Sequence, residues 1–202
     1  ILLVGIIGLA IMLERFFFLF FRFNVNAKAF MAQIQKLVMG NNIDRAIKLC
    51  NAAPHAALPR VIKAGLTRAN KGETEIHNAI SEAILEVVPQ VQKRTPTLQS
   101  VANIATLLGL LGTVVGLIQA FSSLADVAAD KRQEALGRSV AVAMDTTAFG
   151  LIIAIPTLAA FVFFNGTVKK ILDEIDQYST KLENLLVYRL KGTMDAGDNR
   201  AE

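Results

Sequence analysis

The chain has 202 residues, 53% of them apolar and 19% charged, with a formal net charge of +4 and a mean hydropathy of +0.45. It is too oily for an ordinary soluble domain and too charged for a fully embedded one, so membrane and aqueous parts are both expected. The basic residues form no stripe interleaved with aromatics, which argues against nucleic-acid binding, and a single cysteine, Cys50, excludes an internal disulfide.

The first stretch, "ILLVGIIGLAIMLERFFFLFFRF" (residues 1–23), is long enough to cross a bilayer and carries adjacent opposite charges at Glu14 and Arg15 near one end. Arg22 follows where a long side chain reaches the headgroups. The chain opens on Ile1 inside this apolar run, so a preceding segment is expected. A signal peptide fits poorly, because aromatics and arginine follow in place of a small-residue cleavage site.

Residues 24–97 read as a helical aqueous domain. "AKAFMAQIQKLVMG" places Phe30, Ile34, Leu37 and Val38 at helical spacing and should end at Gly40. Short helices punctuated by Pro54, Pro59 and Gly72 come next. "ETEIHNAISEAILEVVPQVQKR" then carries Ile76, Ile80, Ile84, Val87 and Val88 on one broad stripe. No turn signal separates it from the next span, so one helix bent at Pro89 and Pro96 is expected.

The second span occupies residues 98–125 within an uncharged run from Thr95 to Ala125. Residues 126–138 form a short loop, and the third span covers residues 139–168, stopping at Lys169 and Lys170. Residues 169–202 form a helical tail in which Ile171, Ile175, Tyr178, Leu182, Leu185 and Leu186 have heptad-like spacing, as for packing between subunits. The alternative is a tail folded onto its own loop. Lysines and arginines crowd the stretch from Asn24 to Arg94 and the tail, whereas those of the short loop are offset by Asp126, Asp130 and Glu134. The large loop and C-terminus are therefore expected inside, and the N-terminus and short loop outside.

Soluble-enzyme signatures are missing. There is no phosphate-binding glycine loop, and the two distant histidines, His55 and His77, assemble neither a nucleophile-base set nor a Cys/His metal site. No enzyme activity, cofactor or metal is expected. The informative residues are the polar and small ones inside the spans. In "LLGLLGTVVGLIQAF", Gly109, Gly112 and Gly116 have the spacing that lets a second helix approach closely. Thr113 shares a face with Thr106, and a lone hydroxyl there often just bonds the preceding turn. In "AVAMDTTAFGLIIAIP", Asp145, Thr146 and Thr147 are consecutive, followed by Gly150 and Pro156. By helical rise, Thr147 lies about 14 Å below Arg138 and Thr113 about 20 Å below Asp126. Two hydroxyls at similar depth suit a polar ion path, but a titrating mid-membrane acid would have to come from another chain.

At these motifs, with "LERFFFLFFRF" in the first span, the sequence resembles the MotA/TolQ/ExbB proton-channel family, nearest its ExbB/TolQ branch. The resemblance implies an all-α integral membrane protein with three transmembrane helices, long cytoplasmic helical extensions and a homopentameric bundle around a central pore. It implies the bacterial inner membrane, with the N-terminus periplasmic and the C-terminus cytoplasmic. It also implies a dimeric single-span partner resembling ExbD or TolR, whose transmembrane aspartate occupies the pore, and a TonB-like or other periplasmic effector. The family's functional threonines fall on Thr113 and Thr147, and Glu14, Arg15 and Pro156 match further signature positions. Two departures stand out. Thr106 replaces a common proline, and Val142 occupies the place of an ExbB-type glutamate, leaving Asp145 as the nearby acid. The expected function is a stator that turns proton-motive force into work for uptake, envelope integrity or motility. The rivals are a passive homo-oligomeric scaffold and a self-sufficient channel.

Overall fold

The computed structural model describes residues 1–19, 26–124 and 128–198, with side chains as far as Leu190. Arg22 and Asp126 lie outside the described residues. Every regular element among them is helical: α1 (Leu2–Phe17), α2 (Ala27–Met39), α3 (Ile43–Asn51), α4 (Ala57–Thr67), α5 (Glu73–Gln92), α6 (Thr95–Ser123) and α7 (Arg132–Asp198), with a short 3-10 turn at Ala129–Lys131. They form two compact units. One comprises Ile1–Phe16 with Arg94–Asn165, the other Phe17–Lys93 with Gly166–Glu202.

In the first unit, α6 and α7 approach so closely that side chains are excluded along the seam. A Cβ on Gly116 would lie 2.6 Å from the Ala143 Cβ, and one on Gly112 2.8 Å from the Thr146 Cβ. A Cβ on Gly109 would lie 3.2 Å from the Gly150 Cα, and one on Gly150 2.8 Å from the Ala105 carbonyl oxygen. These successive contacts give an antiparallel pair held by backbone-to-backbone packing, as small residues permit in apolar surroundings. The first helix repeats the device: a Cβ on Gly5 would meet Ile153 at 2.9 Å and one on Gly8 would meet Val101 at 3.0 Å.

The apolar windows in Glu73–Ser123 and Arg132–Leu190 are long enough to cross a bilayer, and only 22% of each is buried within the chain. A soluble core helix would be mostly buried, so lipid or other chains must cover these surfaces. The described part of α1 spans 16 residues, or about 24 Å of rise against a hydrocarbon core of about 30 Å.

The second unit is built on a conventional aqueous core. Met31, Ile34 and Val38 of α2, Ala46 and Cys50 of α3, and Val61, Ile62 and Leu66 of α4 are buried, as are Ile76, Ile80, Val87 and Val91 of α5. The tail part of α7 adds Ile175, Tyr178, Leu182 and Leu186. A Cβ on Gly65 would meet both Ile80 and Leu182, so α4, α5 and α7 converge there. His77 and Glu183 pair at 2.9 Å, and an Arg189 guanidinium N–H donates to the Asn41 side-chain oxygen at 2.5 Å. The tail's stripe is therefore spent on its own chain, not on packing between subunits as its spacing suggests.

The boundaries differ from the sequence expectation at two places: α7 begins at Arg132, inside the expected loop 126–138, and α5 and α6 are separate helices. The helix continues through Pro89, which lies inside α5. It breaks after Gln92, where Lys93 is extended and Arg94 adopts a left-handed conformation (φ 61°). Pro96 sits in the first turn of α6, where its missing N–H costs nothing. α2 ends at Met39 with Gly40 as its C-cap, as the sequence suggests, and the left-handed residue is the following Asn41 (φ 58°). Asparagine tolerates that region, and the Asn42 N–H donates back to the Leu37 carbonyl at 2.9 Å to close the helix.

The seam and the core each yield a measurable outcome. Gly116→Val should destabilise the α6/α7 pair by about 1–3 kcal/mol, as overpacking does. Gly137→Ala, on an α7 surface with nothing within 4 Å, should be neutral or stabilising by up to about 1 kcal/mol. Unfolding curves in detergent would separate the two. Burial pushes the Cys50 thiol up to about 12, with Lys63 opposing only in part. The reactive thiolate is thus nearly absent at neutral pH, so a maleimide at pH 7.5 should label Cys50 only after unfolding.

Candidate ion-pathway groove

The α6/α7 seam has two flanks. At about 100° per residue, Thr106 and Thr113 project to one flank of the α6 glycine row. Because the helices are antiparallel, Thr147 projects from α7 onto that same flank and Thr146 onto the opposite one. The opposite flank is occupied by α1, whose Gly8 meets Val101 of α6 and Thr157 of α7 and whose Gly5 meets Ile153. The flank bearing Thr106, Thr113 and Thr147 is left open by this unit.

Depth is set by the contacts. Gly112 lies against Thr146 and Gly109 against Thr147, which brings Thr113 and Thr147 within one helical turn of the same level. Each hydroxyl is engaged with backbone. The Thr113 hydroxyl donates to the Leu110 carbonyl at 2.7 Å, and Thr106 donates to the Ala102 carbonyl at 3.1 Å. The Thr146 hydroxyl donates to the Ala143 carbonyl at 2.6 Å. Thr147 alone crosses the seam, donating to the Gly109 carbonyl of α6 at 2.9 Å. Gly109 permits this, since any side chain there would push the Thr147 backbone away.

Asp145 is not brought to this flank. It lies about 160° around α7 from Thr147, is exposed, and makes no hydrogen bond or ion pair among the described residues. Val142, the position of the family's glutamate, is 63% exposed. At the other end of the unit, the Glu14 carboxylate pairs with the Arg94 guanidinium at the start of α6, and Arg15 is buried. Pro156 lines an apolar cleft of about 350 Å³ between α1 and α7, together with Leu2, Gly5, Ile6 and Thr157. Thr157 is itself buried and donates to the Ile153 carbonyl at 2.7 Å. Sequence reasoning passed over Gly5, Gly8 and Ala143, although Gly5 and Gly8 are small residues one turn apart, a readable packing signal.

The profile described as the "MotA/TolQ/ExbB proton channel family" matches residues 53–177, more than half of the chain. Among curated relatives, a "Putative biopolymer transport protein ExbB homolog" of Methanothermobacter thermautotrophicus is 26% identical over 58% of this chain and 41% of its own length. "Putative biopolymer transport protein ExbB-like 3" of Synechocystis is 26% identical over 92% of this chain and 87% of its own. The "Tol-Pal system protein TolQ" of Haemophilus influenzae is 31% identical over 52% of this chain. The chain spans less than half the length of the first and last of these, 41% and 47%. Matched from residue 53 through α6 and into α7 as far as residue 177, the chain belongs to the MotA/TolQ/ExbB proton channel family, on its ExbB/TolQ branch.

Proposed function

We propose that this chain is a stator subunit of the bacterial inner membrane that converts proton-motive force into mechanical work beyond that membrane. The observation that carries the reading is the flank left open by α1, with Thr106, Thr113 and Thr147 on it and no acid of its own. Three crossings, with the N-terminus outside, give α6 and α7 as the pore-lining pair of a homopentamer. A dimeric single-span partner of the ExbD or TolR kind then supplies the transmembrane aspartate that the flank lacks. Protons load and leave that carboxyl beside Thr113 and Thr147, and the partner carries the resulting movement to a periplasmic target. The names of the relatives, biopolymer transport and Tol-Pal proteins, support work of this kind. Asp145, on the far face of α7, stands outside the path.

Thr147→Val tests this reading. Gly109 keeps the ordinary helical bond from the Thr113 N–H, so the variant should lose under about 1 kcal/mol, as cross-helix hydrogen bonds in membranes do. Proton-driven function should nevertheless disappear while native mass spectrometry still shows five copies with two of a small single-span chain. Full function in the variant, or a complex with no partner, would leave the passive scaffold as the better account.

A further inference from the structure

The side of the α6/α7 pair that carries α1 holds a separate feature, the cleft of about 350 Å³ between α1 and α7. Its long wall is α1, where Leu2, Ile6, Leu9 and Met12 recur every three or four residues along one face, and Phe149 and Ile152 of α7 stand opposite. Leu2, Ile6, Leu9, Phe149 and Ile152 are exposed, so the cleft opens away from the chain. Its lining is apolar except for Thr157, and that hydroxyl donates to the Ile153 carbonyl. From Leu2 to Met12 the wall rises about 15 Å, half of a hydrocarbon core of about 30 Å. On α7, Phe149 lies about 6 Å past Asp145, the last charge before the apolar run, and Thr157 about 18 Å before Lys169. The cleft thus occupies one leaflet's half of the span. Water does not settle in it, since apolar cavities stay dry. A helix of a neighbouring chain is about 10 Å across, so 15 Å of it needs about 1,200 Å³, more than three times the cleft. An extended hydrocarbon chain matches the length, the narrowness and the apolar lining together.

We propose that the cleft binds one acyl chain of a membrane phospholipid, laid along α1 from Leu2 to Met12. This goes beyond the stator reading and needs only that α7 lies in a bilayer. With the N-terminus outside, as proposed above, the leaflet is the periplasmic one. The acyl chain supplies dispersion contacts that α1 and α7, which meet at Gly5 and Gly8, do not make with each other along this wall. It is a packing partner of the two helices and takes no part in moving ions.

The chain has no tryptophan, so an introduced one is a clean fluorescence reporter. Phe149→Trp places it on the cleft, and Phe163→Trp places it at an exposed position of the same helix outside the cleft. The full chain, purified in detergent, is titrated with phosphatidylcholine brominated on its acyl chains, which quenches tryptophan only on contact. Quenching in the first variant should be strong and should saturate near one lipid per chain. In the second it should only follow the bulk fraction of brominated lipid in the micelle. Adding Ile152→Phe to the first variant narrows the cleft from an exposed position and should raise the lipid needed for saturation by about threefold or more. Parallel quenching of the two reporters, the mark of annular lipid only, overturns the inference. A cleft reporter that brominated lipid does not quench overturns it too, and is the result expected if a second copy of the chain covers the cleft. Saturation unmoved by Ile152→Phe does the same. Proton-driven function is read separately, so each of these results leaves the stator reading intact.

Discussion

The close approach of α6 and α7 is the constraint on which the membrane-type unit depends. In hydrocarbon, burying leucine against leucine gains little over burying it against lipid, so helices associate through close packing and through polar contacts that lipid cannot provide. Gly109, Gly112, Gly116 and Gly150 bring the two backbones together where any side chain would collide. The Thr147 to Gly109 bond is a consequence of that approach, because a hydroxyl reaches a carbonyl on the facing helix only when no side chain stands between. Packing and polar chemistry thus share the same glycine.

The second unit obeys a different economy. Its helices face water, so they need a wide apolar stripe buried in common, and Ile34, Val61, Ile62, Ile76, Ile175 and Leu182 supply it. At Gly65, α4, α5 and α7 meet where a side chain would collide. The polar pairs around it, Arg60 with Glu86 and His77 with Glu183, are largely exposed and contribute modestly, within about 1 kcal/mol each. The same α7 contributes to both economies, with a glycine and threonine face before Asn165 and an aliphatic stripe after it.

Those differences explain what was legible in the sequence. Uncharged runs of bilayer length and glycines three and four residues apart are local signals, and they pointed to α6, α7 and their seam. The break between α5 and α6 was not legible, because it uses Arg94 in a left-handed conformation that no arginine announces, held beside the distant Glu14. The tail's spacing was legible but its partner was not, since an aliphatic stripe looks the same whether it meets its own chain or another. Thr113 and Thr147 could be picked out by depth, whereas Asp145, two positions before Thr147, lies on another face of α7. Nearness in sequence is not nearness on a helix, where residues two positions apart lie about 160° apart around the axis.

The hydroxyls also show why a one-letter sequence under-describes a polar site. A threonine is written as donor and acceptor alike, and its ability to donate outward depends on whether a carbonyl already holds its proton. Had Gly109 carried a side chain, Thr147 would have been kept from the α6 backbone, its hydroxyl free to donate elsewhere. With Gly109 its proton is held by the α6 backbone, and only lone pairs remain. One missing methyl group on α6 thereby sets the chemical sense of a hydroxyl on α7.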